Sequence, residues 1–274
     1  MNNYKKEIDI MVETLKKAGE NLMRFFHSGD YEISEKSPNN PVTEADFTTN
    51  QIIIDSLYKY FPNDAILSEE ISKDLSHEIM DKKRFEASRV WIIDPLDGTK
   101  EFVNGIKEFS ISVGLVENNK ALLGFIYNPA LEYFIYGGCY DGLFKNGKPF
   151  SLNVENINSI EDIKICVSRT EKNKGLYNFI KNETVEQNMK EIGSVAYKLA
   201  LVAGGEYNLT VSVKPKNEWD IAAGVALLEA SGLVLLDKDY EKIKLNKKDV
   251  KSSGLIGGSA KAIEVFKSEY KNFI

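Results

Sequence analysis

A mixed α/β fold is the class this sequence predicts, and three observations carry the expectation. Apolar residues recur at helical spacing near the N-terminus, short β-branched and aromatic runs bounded by turn residues fill the middle, and alanine-rich helical stretches alternate with strand-like runs towards the C-terminus. Residues 4 to 26 place Ile8, Met11, Val12, Leu15, Ala18, Leu22 and Met23 on one stripe, which predicts an amphipathic helix that serves packing. After a polar stretch containing Lys36, Pro38 and Pro41, Thr43 stands three residues before Asp46. That cap-like pair opens a second helix through Ile52 to Tyr58, which ends before Pro62. Ala65-Ile66-Leu67-Ser68 reads as a strand running into Glu69-Glu70, with a helix expected after it. Val90-Trp91-Ile92-Ile93 reads as a buried strand that delivers the turn Asp94-Pro95-Leu96-Asp97-Gly98-Thr99. Ile111 to Glu117, Ala121 to Tyr127 and Tyr133 to Tyr136 form a meander punctuated by Asn-Asn, Asn-Pro and Gly-Gly. Ile163 to Val167 is a further strand, Val195 to Ala203 a helix and Tyr207 to Val213 a strand. Trp219-Asp220 open an alanine-rich helix to Ala230, and a Leu233 to Leu236 strand and a helix after Ser259 close the chain.

Composition narrows the function. A chain of 274 residues with 43% hydrophobic and 28% charged residues holds enough apolar material for a large core, as one large domain or two lobes, and no Pro/Gly/Ser-rich linker marks a border. The opening MNNYKKEIDIMVETLKK lacks the apolar stretch of a signal peptide, and no run of about eighteen apolar residues occurs, so a cytoplasmic protein with no membrane partner is expected. Cys139 and Cys166 are expected as reduced thiols. A net charge of −6 argues against a general nucleic-acid binder, which needs a basic face. His27 and His77 are not spaced as a ligand pair, which argues against an imidazole zinc site, and both are expected to be structural or solvated.

The turn after Ile93 is the most informative stretch. Asp94, Asp97 and Thr99 gather two carboxylates and a hydroxyl at a strand end, an oxygen-rich cradle for a hard cation, and the amides from Gly98 onward are placed to face an anion. Asp, Pro and Gly also make ordinary turns. An EF-hand needs glutamate at its twelfth position, which counted from Asp94 is Gly105. Haloacid-dehalogenase phosphatases carry two aspartates two residues apart, whereas here they are three apart, so an aspartyl-phosphate mechanism is the runner-up. Capping also accounts for Thr43, Asp46 and Asp220.

Longer patterns surround this turn. Trp91 to Thr99 fits W-x-x-D-P-[LI]-D-G-T and Trp219 to Gly224 fits W-D-x-A-A-G, preceded by Val42-Thr43-x-x-Asp46 and Glu69-Glu70. Together they resemble the signatures of the inositol monophosphatase superfamily of metal-dependent, lithium-sensitive phosphatases, over nearly the whole chain. The resemblance implies an α/β fold of the α+β type, a layered αβαβα sandwich with two mixed or antiparallel sheets. It implies an N-terminal metal-binding lobe over 1–155 and a C-terminal substrate lobe over 156–274. By the same resemblance Glu69, Asp94, Asp97, Asp220 and the Leu96 carbonyl would hold two or three Mg²⁺. Thr99, bonded towards Asp46 and assisted by Glu69 or Glu70, would activate water, and the Gly98 and Thr99 amides would hold phosphate.

Lys100-Glu101-Phe102, Glu218 and Lys36-Ser37 look like the bacterial 3′(2′),5′-bisphosphate nucleotidase form. The expected substrate is therefore 3′-phosphoadenosine 5′-phosphate, cleaved to AMP and phosphate in sulfur metabolism. Inositol 1-phosphate, or another sugar or polyol phosphate, is the alternative, and a non-catalytic binding protein is the reading from a different class. Lys100, Ser168, Arg169, Gly193, Ser194, Lys198 and Glu218 are the expected substrate contacts. The Gly193-Ser194 block reaches Lys198 with one residue more than the nucleotidase pattern, a length like that of inositol-directed members. A helix-surface lysine is the other account of Lys198, with Lys214 or Lys216 then serving the remote phosphate, and Lys100 also reads as a solvated residue. A homodimer is common among such relatives.

Overall fold

The computed structural model describes residues 4–37, 40–70, 83–154 and 156–270. Its first helix, Lys5–Ser28, buries Met11, Leu15, Ala18 and Leu22 completely, as the apolar stripe requires. The second, Glu44–Tyr60, starts on a capping box in which Asp46 Oδ2 accepts from the Thr43 amide at 2.7 Å and the Thr43 hydroxyl at 2.6 Å. Both helices pack on one face of a seven-stranded sheet.

That sheet runs in the order Ala65–Ser68, Arg89–Asp97, Ser110–Glu117, Lys120–Asn128, Tyr133–Gly138, Gly142–Lys145, Lys148–Phe150. The first pair is parallel and the rest form an antiparallel meander. Side chains alternate across the Arg89–Asp97 strand: Trp91 and Ile93 join the core under the first two helices, while Val90 and Ile92 join the core on the other face. On that other face lie the helices Val195–Ala203 and Glu218–Ala230. Beyond them is a five-stranded sheet in the order Met189–Ile192, Ile165–Ser168, Leu209–Ser212, Leu255–Gly258, Val234–Asp237, with parallel and antiparallel pairs. The helix Ala260–Glu269 covers its outer face through Ala262, Ile263 and Phe266. The layers are therefore αβαβα with two mixed sheets, the architecture expected from the motifs.

Between its acidic ends the Glu218–Ala230 helix is apolar all round because it is sandwiched: Ile221, Ala222, Ala223, Leu227 and Leu228 are all inaccessible. It lies close on the larger sheet, since a Cβ added to Gly124 would sit 2.2 Å from the Ala223 carbonyl oxygen. This close approach carries the helix start, with Asp220, to the end of the Arg89–Asp97 strand.

The structure corrects several sequence expectations. The central strand runs through the motif to Asp97, and the expected turn is instead a break in its pairing between Asp94 and Asp97. The hairpins Ile33–Ser37/Asn40–Thr43 and Gly142–Lys145/Lys148–Phe150 were not expected, nor were the strand Met189–Ile192 and the short helices Thr99–Val103, Arg169–Asn173 and Glu183–Gln187. The helix expected after Glu70 and His77 lie outside the described residues. Both cysteines are free thiols, Cys139 exposed and Cys166 buried. Among the described residues no helix is long and apolar enough to cross a membrane.

Candidate active site

Four segments meet at the end of the Arg89–Asp97 strand. Asp94, 1% exposed, continues the Val90 and Ile92 face, so it looks towards the central helix layer. Its cross-strand neighbour Ser112 donates from Oγ to the Trp219 carbonyl at 3.2 Å, which ties the start of the Asp220 helix to this point. The parallel partner strand ends at Ser68, and the Glu69 amide donates to the Ile93 carbonyl at 3.0 Å, so Glu69 and Glu70 leave the sheet beside Asp94.

Each aspartate spends one oxygen locally. Asp94 Oδ1 accepts from the Leu96 amide at 3.0 Å, Asp220 Oδ2 accepts from the Asn217 amide at 2.9 Å, and Asp97 Oδ2 accepts from Ser194 Oγ and the Ala196 amide, both at 2.6 Å. Their second oxygens have no hydrogen-bond donor among the described residues. The capping role foreseen for Asp220 is therefore real and leaves one oxygen over. Asp97 does something the sequence did not announce: it sits on the start of the Val195–Ala203 helix, across the layer boundary.

The cluster is strongly anionic. Burial, then the charges of Glu69, Asp97 and Asp220, holds the Asp94 carboxyl well above the usual carboxylate range. Asp220 is raised in the same way by burial and by Asp97 and Glu69, and Asp97 is raised by burial against the pull of Ser194 and Ala196. Burial pushes Glu70 up to about 7 and Asp46 up to about 6, although Lys36 opposes the first shift and Thr43 the second. Lys36 donates to Glu69 at 2.9 Å and to Glu70, bridging the two glutamates, a contact the sequence reading missed. Among the described residues no three acidic, histidine or cysteine groups stand together closely enough to hold a metal ion. The donor set nevertheless suits Mg²⁺: all oxygen, mutually repelling, and with one unspent oxygen on each aspartate.

Thr99 Oγ1 lies 3.1 Å from Asp46 Oδ1 and 3.0 Å from the Leu96 carbonyl, so the predicted Thr99–Asp46 pairing is present. Gly98 is left-handed (φ 95°) and opens the short Thr99–Val103 helix, whose first amides have no partner within it. Asn50, one turn after Asp46, was also missed. It donates to the Glu70 carbonyl at 2.6 Å and accepts from Ser68 Oγ at 2.7 Å, and its signal was a polar residue on the buried face of the second helix.

The expected substrate contacts fare differently. Lys198 is neither a surface lysine nor an available cation: it is 1% exposed, and its ammonium donates to the carbonyls of Ile192, Gly193 and Ser194 at 3.2, 3.3 and 2.8 Å. Glu218 is fully buried and accepts from the Asn246 and Lys247 amides at 2.6 and 2.9 Å, so it anchors a loop instead of a substrate. Glu218→Gln, which keeps only one good acceptor for two partly buried amides, is expected to lower stability by about 1–3 kcal/mol, read as a lower urea midpoint with KM unchanged. Arg169 is engaged by Glu101 and Glu108. Ser168 caps the Arg169–Asn173 helix, its Oγ accepting from the Glu171 amide at 3.3 Å. Gly193 donates its amide to Glu108 at 3.3 Å. Lys216 pairs with Glu171 at 2.7 Å. Lys100 and Lys214 are exposed and have no acidic partner among the described residues.

Comparison with known proteins bears directly on this geometry. Residues 3–269 match the Inositol monophosphatase family. The chain is 34% identical over 258 residues to a fructose-1,6-bisphosphatase/inositol-1-monophosphatase of Thermotoga maritima, covering 91% of this chain and 92% of that protein. It is 31% identical over 236 residues to the 3′(2′),5′-bisphosphate nucleotidase CysQ of Buchnera aphidicola, covering 84% of each. Among solved structures, the extragenic suppressor protein suhB of Bartonella henselae superimposes with a TM-score of 0.81 at 26% identity, covering 98% of this chain and 100% of that one. Fold and matches together define a metal-dependent phosphomonoesterase. Within that class the chain belongs to the inositol monophosphatase family, whose enzymes depend on Mg²⁺.

Proposed function

We propose that the chain is a 3′(2′),5′-bisphosphate nucleotidase that converts 3′-phosphoadenosine 5′-phosphate to AMP and phosphate. Glu69, Asp94, Asp97, Asp220 and the Leu96 carbonyl would hold Mg²⁺, which when bound supplies a water of lowered pKa and neutralises the phosphate oxygens. Asp46 draws the Thr99 hydroxyl hydrogen towards itself, which leaves the Thr99 oxygen free to accept from the attacking water and aim it. Glu70, beside them, takes up the released proton. The Gly98 and Thr99 amides, at the start of their helix, would hold the phosphate.

One observation favours a bisphosphate. Of the basic residues foreseen around the site, Arg169, Lys198 and Lys216 are spent on the protein itself, while Lys100, directly after the phosphate turn, and Lys214 keep unopposed charges among the described residues. Unpaired ammonium groups suit a second phosphate, which the nucleotide and fructose 1,6-bisphosphate carry and inositol 1-phosphate lacks. The nucleotidase relatives at about 30% identity support the same reading. The Thermotoga relative supports the second one, an inositol or fructose phosphate phosphatase.

Steady-state kinetics with 3′-phosphoadenosine 5′-phosphate, inositol 1-phosphate and fructose 1,6-bisphosphate separate these readings, and the nucleotide is expected to give the highest kcat/KM. Lys100→Ala and Lys214→Ala are each expected to lower kcat/KM for the nucleotide about tenfold, roughly one charge-assisted contact of 1.4 kcal/mol, and to spare inositol 1-phosphate. A preference for either sugar or polyol ester in the parent enzyme would overturn the proposal.

A further inference from the structure

Arg169 belongs to the second sheet, at the start of the Arg169–Asn173 helix, yet its guanidinium holds two carboxylates from the other side of the molecule. Nη1 donates to Glu101 at 2.9 Å, and Nη2 donates to Glu108 and to the Glu191 carbonyl at 3.1 Å. Glu101 lies two residues after Thr99, and Glu108 lies just before Ser110, where the next strand begins. The same two glutamates grip the loop that approaches Asp97. Glu108 accepts the Gly193 amide through its side chain and the Ser194 amide, at 3.4 Å, through its carbonyl. Glu101 fills the space beside Gly193 so tightly that a Cβ there would lie 1.9 Å from its Cδ. Ser194 then donates to Asp97 Oδ2 and touches Ser110 Oγ at 3.0 Å.

From this chain of contacts we infer that Arg169 is a positioning residue for Asp97: by clamping Glu101 and Glu108 it sets the Gly193–Ser194 loop, and the loop aims the carboxylate. A guanidinium suits the task because its planar fork reaches two carboxylates and a carbonyl at once, which an ammonium on a flexible stem cannot do with fixed geometry. Removing it leaves two partly buried carboxylates near each other and near the loop. They repel, the loop shifts, and Asp97 loses the alignment of its unspent oxygen. Arg169 therefore governs cation use and does not contact the ester.

The inference rests on Asp97 being a cation ligand, as proposed above, and the test separates the two. Mg²⁺ titrations, read both as activity at saturating 3′-phosphoadenosine 5′-phosphate and, without ester, as the rise in unfolding temperature, are run on the parent, Arg169→Met, Arg169→Lys and Asp97→Asn, with KM measured at saturating Mg²⁺ and folding checked by thermal unfolding in EDTA. Arg169→Met is expected to raise the Mg²⁺ midpoint about tenfold with KM within threefold of the parent, and Arg169→Lys to recover part of the shift. Glu108→Gln, which breaks half of the clamp without removing the arginine, gives a smaller shift in the same direction and serves if Arg169→Met does not fold. A rise in KM with an unchanged Mg²⁺ midpoint makes Arg169 a substrate contact and overturns the inference, as does an unchanged midpoint and KM. If Asp97→Asn keeps the parent's Mg²⁺ response, the ligand assignment itself fails, whatever Arg169 does.

Discussion

Asp97→Asn is expected to lower kcat by about a thousandfold or more while leaving the fold intact. The asparagine carbonyl can still accept from Ser194 and the Ala196 amide, so the start of the Val195–Ala203 helix stays capped. What changes is the unspent position, where a carboxylate oxygen becomes an NH2 group that cannot ligate a cation. Thermal unfolding in EDTA should show the variant at least as stable as the parent, because one of the mutually repelling charges around Asp94 and Asp220 is gone. Turnover within tenfold of the parent at saturating Mg²⁺ would remove Asp97 from the machinery.

The second large effect is on stability. Glu70 is held up to about 7 and Asp46 up to about 6 in the folded protein, both by burial, against ordinary values near 4 in the unfolded chain. A carboxyl raised by folding binds its proton more tightly in the native state, so its contribution is complete below about pH 4 and is lost as pH climbs through the folded values. Each of these two groups accounts for about 3 kcal/mol, and Asp94, Asp97 and Asp220 act in the same direction. The metal-free protein should therefore unfold at a lower temperature at pH 8 than at pH 5. Mg²⁺ should raise the unfolding temperature far more at pH 8, where the carboxylates are charged, than at pH 5. Scans in EDTA and in Mg²⁺ at both pH values check this, and an unfolding temperature in EDTA that is flat or rising with pH contradicts the buried anionic cluster.

Legibility followed from locality. The Lys5–Ser28 helix, the Thr43–Asp46 cap and the meander from Ser110 to Gly138 rest on periodicity and turn residues within one stretch, and they read correctly. The acidic cluster was legible because Asp94, Asp97 and Asp220 lie in dense motifs. Hairpins as short as Gly142–Phe150, and helices of a single turn such as Arg169–Asn173, carry too few residues for a period to show. The roles of Lys198 and Glu218 were misread for a different reason. A buried lysine whose ammonium satisfies three carbonyls and a buried glutamate that collects two loop amides have the same residue type and neighbours as solvent-facing groups, and only tertiary structure tells them apart. The partnership of Arg169 with Glu101 and Glu108 spans more than sixty positions and has no local signature.

The tight seat of Gly193 against Glu101 has an evolutionary corollary. A methyl group at 193 would lie 1.9 Å from Glu101 Cδ, so a descendant that carries one needs either a shorter side chain at 101 or a Glu101 turned out of the grip of Arg169. A shortened 101 leaves the arginine half occupied, which in turn relaxes selection on 169. These positions should drift as a set across the lineage, each fixing what the others are permitted to become.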